Sequence, residues 1–380
     1  MKRIVLCCDG TWNSPVRESV SNVEKIARAV ATGIVGDGVV QEVHTVGGVG
    51  SRGYLLDRVL GGAFGYGITT NVVEGYREIA LGYSPGDEIF VFGFSRGAYT
   101  ARSVVGMIAA VGLLRPEAVL ENRLREAERL YRERSDATAD VRAAFRREHA
   151  YASVPVRMLG VFDTVGALGV PGLTRRRSRF HDVRLGRDVV CARQALAIDE
   201  RRRTFEPCLW EVPEAEARPG RVKQVWFPGV HSDVGGSTRH TALSDVTLRW
   251  MVGEAESQGL VVDHARLAAQ LEDEPVFEVV GAPTPLWRCI NLVKRVRRNP
   301  RFRGDVRVLA GVPAREGPGY RDEARIAWPA LRLTADDADP AYREHAVNVG
   351  WWRESAGAGL DGLVEHVRDL DGDRRRVVLV

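Results

Sequence analysis

The feature that most limits how this chain can fold is a turn around residue 95. A short apolar run, Glu88 to Gly93, enters the pentapeptide Gly93-Phe94-Ser95-Arg96-Gly97, and an apolar helical pattern from Tyr99 to Val111 leaves it. Strand, tight turn and helix in that order send the backbone through a sharp reversal that lifts the central hydroxyl out of a sheet. The glycines on either side suit a place where strand and helix approach too closely for a Cβ. The same residues would also suit a glycine-rich strand–helix turn carrying a bystander serine. The buried strand before it and the apolar helix after it favour a presented hydroxyl.

The rest of the first 260 or so residues repeats that alternation. Ile4 to Cys8, Val39 to Val46, Val156 to Phe162 and Val222 to Phe227 read as short buried strands. Val20 to Val35 (with Ser21 and Asn22 as caps), Thr69 to Leu81, Ala192 to Asp199 and Leu243 to Glu256 read as helices. Alternation of this kind predicts an α/β fold: a doubly wound, mostly parallel sheet with helices on both faces. The serine turn makes it α/β-hydrolase-like.

Two stretches depart from the pattern. From Leu120 to Arg147 one apolar stripe, Leu120, Leu124, Ala127 and Tyr131, stands against dense Arg and Glu, which predicts one or two amphipathic helices over the sheet. Beyond residue 275 the alternation weakens, with Pro275, Pro283 and Pro285 interrupting it. The expected organisation is a catalytic domain over 1–275 with a helical lid insertion at about 115–150, and a C-terminal extension, 276–380, packed on it.

Composition narrows the function classes. With 380 residues, 44% hydrophobic and 27% charged, the chain can bury a large core and has the balance of a soluble globular protein. A net charge of +4 and a pI near 8.9 are too weakly basic for a nucleic-acid partner. The five cysteines, Cys7, Cys8, Cys191, Cys208 and Cys289, lack framework spacing, and the adjacent pair in the first strand is expected as buried thiols. No His/Cys cluster has metal-ligand spacing, so neither a metal nor a cofactor is expected. The N-terminal apolar run stops at Asp9, too short for a signal peptide, and no stretch reaches the roughly 20 apolar residues of a membrane span. A cytoplasmic location is expected, with export by a dedicated secretion system left open.

A serine hydroxyl becomes a nucleophile only when a base takes its proton and a third group orients the base. In this fold the chain order is serine, acid, histidine. His231 follows a predicted strand in the glycine-rich turn Gly229 to Gly236 and is the favoured base. His149 and His181 lie in charged segments, His44 precedes the serine, and His264, His345 and His366 sit on predicted surface helices or loops. Asp163, at the end of the Val156–Phe162 strand, is the favoured acid. Asp233 is read as a supporting residue that caps or braces the histidine turn, and Asp199 is a further candidate for the acid. The oxyanion donors are expected from the backbone of Arg96 and from the loop Asp9-Gly10-Thr11-Trp12-Asn13, at Gly10 and Thr11. Asp9 either pairs with Arg96 to brace the elbow or is a simple turn residue.

Other conspicuous runs carry less. Gly61 to Gly67 has no Lys-Ser/Thr ending and reads as a turn beside the site rather than a phosphate loop. Arg175–Arg177, Arg201–Arg203 and Lys294 to Arg303 read as solvated basic faces. The last interleaves Ile290, Leu292, Val293 and Val296 with Lys294, Arg295, Arg297 and Arg298, a pattern that also suits peripheral contact with an anionic membrane surface.

Five blocks in order, Lys2 to Asn13 (KRIVLCCDGTWN), Gly93 to Arg102 (GFSRGAYTAR), Gly160 to Gly166 (GVFDTVG), Ala197 to Trp210 (AIDERRRTFEPCLW) and Val225 to Gly236 (VWFPGVHSDVGG), resemble the DUF2235 family. That family is similar to the catalytic domain of Tle1-type phospholipase effectors of the bacterial type VI secretion system. The resemblance spans roughly residues 1 to 260 and implies an α/β-hydrolase fold with a Ser-Asp-His triad; Ser95, Asp163 and His231 stand in the matching blocks. The expected function is a serine hydrolase that cleaves carboxylic esters, with a lipid or phospholipid as substrate, through an acyl-serine intermediate. The alternatives are an esterase or thioesterase for small soluble substrates, and a non-catalytic binding module on a hydrolase scaffold. Protein partners are left open by the sequence.

Overall fold

Apolar runs flanked by turn residues become the strands, and in chain order they are β1 (Lys2–Cys8), β2 (Gly33–Ile34), β3 (Val40–Val46), β4 (Glu88–Phe94), β5 (Val156–Phe162), β6 (Val189–Ala197), β7 (Val222–Phe227), β8 (Phe302–Arg303), β9 (Val306–Arg307), β10 (Arg325–Ala327) and β11 (Val364–Glu365). The computed structural model describes residues 1–9, 20–36, 38–47, 63–165, 185–212, 218–238, 240–271, 283–295, 299–311, 324–336 and 340–367. Among these, nine strands form one sheet in the order β11-β10-β7-β6-β5-β4-β1-β3-β2, and β8 pairs with β9 separately. Every pairing in the large sheet is parallel except that of the two-residue edge strand β2 with β3. Val5 stands between Val43 and Phe90, and Leu159 between Val91 and Ala192, so apolar side chains run in register across the middle of the sheet.

The helices are α1 (Asn22–Ala29), α2 (Ala63–Gly82), α3 (Arg96–Val111), α4 (Pro116–Leu120), α5 (Leu124–Arg132), α6 (Ala139–His149), α7 (His231–Gly235), α8 (Ala242–Glu256), α9 (His264–Ala268), α10 (Pro285–Arg295), α11 (Trp328–Leu333), α12 (Pro340–His345) and α13 (Val347–Ala356). Successive strand residues face opposite sides, and the core divides accordingly. Ile4, Leu6, Val91 and Leu159 pack with Tyr76, Val104, Ile108, Tyr131 and Phe145 of α2, α3, α5 and α6. Val5, Phe90, Phe92 and Met158 pack on the other side with Val23, Ile26, Leu248 and Met251 of α1 and α8. Each such fully buried side chain contributes about 2 kcal/mol relative to exposure, so these two layers dominate the stability of the sheet. This is the α/β-hydrolase-like, mostly parallel sheet with helices on both faces that the alternation predicts. Among the described residues, no helix is long and apolar enough to cross a membrane.

The structure departs from the sequence reading in several places. A helix was expected over 192–199, but residues 192–197 belong to the central strand β6: ladders to β5 and β7 on both sides override the helical propensity of Ala-Arg-Gln-Ala-Leu-Ala. The helix expected over 20–35 ends at Ala29, and Gly33 turns with φ 84° into β2. The stripe through Leu120 is broken, because Asn122 at φ 63° separates α4 from α5; Leu120 is 78% exposed while Ala127 and Tyr131 are buried. Residues 276–380 supply β10 and β11 to the edge of the same sheet, where Ile326, Val349 and Trp352 pack on Trp226 and Leu196. Of the glycine run 61–67, residues 61 and 62 lie outside the described residues and the rest opens α2.

Candidate active site

A parallel sheet places the ends of its strands along one edge, and the chain order crosses over between β1 and β4, the position where ligands bind in such sheets. Ser95 stands at the end of β4, Asp163 at the end of β5, and His231 four residues past the end of β7 in the first turn of α7. Ser95 has φ 56° and ψ −117°, a backbone state that an L-residue adopts only under constraint. Its surroundings impose that state. A Cβ on Gly93 would lie 2.6 Å from the Ala98 Cα, and one on Gly97 would lie 2.0 Å from the Cys8 carbonyl oxygen, so both flanking positions require glycine.

The three side chains meet. His231 Nε2 lies 2.8 Å from Ser95 Oγ, and His231 Nδ1 lies 2.6 Å from Asp163 Oδ2. An ionised carboxylate only accepts, so Nδ1 carries the proton and donates to Asp163, leaving Nε2 to accept from the serine hydroxyl. Phe94 and Phe205 pack against the imidazole, with ring centroids 4.8 and 5.0 Å away, and hold its plane. Asp163 is fully buried and sits at φ 34°. Each of its oxygens receives two hydrogen bonds: Oδ1 from the Ala197 amide (3.0 Å) and Arg307 Nη1 (2.7 Å), Oδ2 from His231 and Arg307 Nη2 (3.1 Å). Burial by itself raises the Asp163 carboxyl, but the Arg307 guanidinium and the His231 hydrogen bond outweigh it and hold the group well below the usual carboxylate range.

The supporting residues separate. Asp233 Oδ2 accepts from the Val230 amide at 2.9 Å, so it braces the turn that carries His231. Asp199 is not in the line with His231. Its Oδ2 accepts from the Gly229 amide (2.7 Å) and the Tyr342 hydroxyl (2.8 Å), anchoring the start of the same turn from behind. Asp9 Oδ1 accepts from the Ser21 hydroxyl at 2.8 Å, and Ser21 Oγ in turn caps the Glu24 amide, so Asp9 ties the end of β1 to α1. Arg96 opens α3, which puts its backbone N–H at the positive end of that helix. Gly10 and Thr11, the other expected oxyanion donors, lie outside the described residues.

Sequence reasoning missed Arg307. Its side chain is fully buried, and besides Asp163 its Nη1 donates to the Ala197 carbonyl. The signal was present in Asp305-Val306-Arg307-Val308-Leu309, where one arginine interrupts an apolar run with no charged neighbour beside it. The run Arg201–Arg203 is likewise no solvated face. Arg202 donates to Glu200 from its guanidinium at 2.6 and 2.8 Å and lies 3.7 Å over the Phe205 ring. Arg203 is buried against Phe302, and its amide donates to Asn291 of α10 at 3.0 Å. Burial raises the Glu200 carboxyl, yet Arg202 beside it brings the group below its ordinary value, so Glu200, whose Oε2 lies 3.4 Å from the His231 amide, stands as a carboxylate.

The sheet, the strand–Ser95–helix elbow and the side chains gathered at the carboxyl edge define an α/β-hydrolase-like protein. The chain belongs to the family of type VI secretion system phospholipase effectors described as Tle1-like, catalytic domain, which matches residues 2–254. The chain is 27% identical over 238 residues to the uncharacterized protein YEL023C of Saccharomyces cerevisiae, which takes in 56% of this chain and 33% of the yeast protein. It therefore spans about a third of that relative's length. Among solved structures, the Tle1 effector bound to the VgrG spike of the type 6 secretion system is similar with a TM-score of 0.41 at 16% identity, over 71% of this chain and 76% of that one. An uncharacterized protein from Pseudomonas aeruginosa gives 0.39 at 19% identity, over 79% and 51%.

Proposed function

We propose that this protein is a serine hydrolase that cleaves a carboxylic ester of a lipid or phospholipid through an acyl-Ser95 intermediate. The observation that carries the reading is the line from Ser95 Oγ to His231 Nε2 (2.8 Å) and from His231 Nδ1 to Asp163 (2.6 Å). Ser95 Oγ attacks the ester carbonyl carbon while His231 Nε2 takes its proton. Asp163 keeps the imidazole in the tautomer that accepts at Nε2 and compensates the charge that forms. The Arg96 backbone N–H donates to the developing oxyanion. When the tetrahedral adduct collapses, His231 returns the proton to the leaving alcohol and the acyl group stays on Ser95. Water, deprotonated by His231, then releases the acid and restores the serine.

Family membership favours a lipid over a small soluble ester. So does α10, which carries Leu286, Leu292 and Val293 at 68, 65 and 75% exposure, an apolar face suited to a lipid surface. Trp287 on the inward side of the same helix packs on Phe205, which packs on His231, so the helix that bears this apolar face is anchored beside the imidazole.

The test is labelling with a fluorophosphonate followed by peptide mapping, together with hydrolysis of p-nitrophenyl esters of increasing chain length and of phospholipid vesicles. Labelling at Ser95 and a preference for long chains or vesicles is the expected result. Labelling that persists in Ser95→Ala would remove the serine from its role. Activity confined to short chains and indifferent to vesicles would exclude the lipid.

A further inference from the structure

Asp163 receives its strongest partner from a part of the chain that follows the family match. That match ends at residue 254, and Arg307 lies in β9 of the β8–β9 hairpin. Its two terminal nitrogens take one carboxylate oxygen each, Nη1 to Oδ1 at 2.7 Å and Nη2 to Oδ2 at 3.1 Å, and both side chains are fully buried. The planar guanidinium is itself fixed by the carbonyls of Ala197 and Phe205. Asn348 of α13 clamps the backbone behind it, donating to the carbonyls of Ile198 (3.0 Å) and Arg307 (3.2 Å).

We infer that Arg307 is a positioning residue for the hydrolysis proposed above: its two-point grip on Asp163 aims Oδ2 at the Nδ1–H of His231. The inference rests on the serine-hydrolase reading of Ser95, Asp163 and His231. Two-point recognition is particular to the arginine fork; an ammonium is a point charge and cannot hold both oxygens in one plane. The Asp163 carboxylate could otherwise turn about its Cβ–Cγ bond, because the Ala197 amide holds only Oδ1. Arg307 also keeps the acid charged. In a site this buried a carboxyl without a cation takes up a proton, and a protonated acid neither fixes the tautomer nor balances an imidazolium.

The charged groups around the histidine are few enough to name. Asp163 comes from the end of β5, Glu200 and Arg202 from the segment after β6, and Arg307 from β9. On the histidine's own turn, Asp233 is engaged with the Val230 amide, and Asp199 with the Gly229 amide. Glu200 and Arg202 pair with each other, which leaves Arg307 as the cation bonded to Asp163 among the described residues.

A merely structural ion pair would tie the C-terminal segment to the sheet, and its loss would lower stability and reduce activity equally at every pH. The experiment compares wild type, Arg307→Lys and Arg307→Gln in kcat and KM on a soluble p-nitrophenyl ester across pH 4 to 9. Alongside it, the Asp163 carboxyl carbon is titrated by ¹³C NMR, its signal assigned by its loss in Asp163→Asn. In Arg307→Gln the Asp163 titration and the acid limb of kcat/KM should both move to higher pH, by about one unit or more. Arg307→Lys should restore the limb but leave kcat lowered about tenfold at a KM close to wild type.

An Asp163 titration and acid limb unmoved in Arg307→Gln would overturn the inference, even if that variant melts lower. Should Arg307→Gln fail to fold, the lysine variant decides, since an unchanged kcat there means that the two-point grip does not matter. A wild type that hydrolyses no ester and takes no fluorophosphonate at Ser95 is a different failure. It removes the hydrolase reading, and Arg307's role in catalysis with it, whatever the carboxyl titration shows.

Discussion

A Cβ on Gly97 would stand 2.0 Å from the carbonyl oxygen of Cys8, so the first turn of α3 rests directly on the end of β1. That contact joins the nucleophile's elbow to the neighbouring strand and leaves no room for a side chain. Gly97→Ala should therefore push the helix off the sheet. A stability loss of about 3 kcal/mol is expected, the upper end of what overpacking costs, with Ser95 displaced from His231. Urea unfolding and the rate of fluorophosphonate labelling would measure the two effects, and a variant unchanged in both would contradict the contact.

Ser95→Ala removes the hydroxyl but keeps the elbow's glycines. Ester hydrolysis should fall by a factor on the order of 10³ or more, while stability shifts by less than about 1 kcal/mol. His231→Asn should lower turnover to a similar extent, because nucleophile and base act as one unit and their effects do not add. Turnover of the double variant well below that of either single one would mean that they act independently.

Asn22 lies on α1, far from the nucleophile in sequence, yet it holds the histidine turn. Its fully buried Nδ2 donates toward the carbonyls of Val234 (3.1 Å) and Ser244 (2.8 Å) and the Thr247 hydroxyl (3.0 Å). Asn22→Ala removes this donor from a buried polar cluster and leaves the Thr247 hydroxyl to serve both carbonyls, at a cost of about 2 kcal/mol. Slower labelling of Ser95 is expected with it, since Val234 and His231 share α7. Thermal unfolding and labelling kinetics on the same samples would show whether both change.

Asp199 predicts a pH dependence of stability. Burial raises its carboxyl to about 6, against the lowering by the hydrogen bonds from Gly229 and Tyr342 and by Arg201. The unfolded chain releases this proton near pH 4. Between those values the folded state holds more protons, so this group's contribution is fully present below pH 4 and is lost as pH rises through 6. Asp199→Asn should gain on wild type across that window, by an amount on the order of 2 kcal/mol. Denaturant midpoints of the pair at pH 4, 5, 6 and 7 would reveal it; a constant difference would count against it.

The apolar face of α10 gives a prediction about the lipid surface. Leu286→Glu with Val293→Glu places two charges where apolar side chains are exposed, and neither position is packed in the core. Hydrolysis of vesicle substrate should fall about tenfold relative to hydrolysis of a soluble ester by the same variant. An unchanged ratio would move the lipid contact elsewhere.

Local chemistry explains which parts of this protein could be read without coordinates. The elbow at Ser95 was legible because its requirements are local: a buried strand, glycines where a Cβ would collide, and an apolar helix. Strands bounded by turn residues, such as 40–46 and 156–162, were legible for the same reason. Residues 192–197 were not, because their helical composition yields to hydrogen bonds from two flanking strands, and sequence spacing does not record neighbours in the sheet.

Arg307 marks the boundary between the two kinds of information. Asp163 and His231 could be nominated from strand ends and chain order, each within its own segment. The arginine that pairs with the acid lies 144 residues beyond it, and although its apolar neighbours hint at burial, nothing in its own segment says which carboxylate it meets. Short-range sequence determined most of the strands, the strained serine turn and the candidates for the site. The tertiary structure alone decided which charges were buried together, since the stability of a buried carboxylate depends on the cation that folding brings within 3 Å of it.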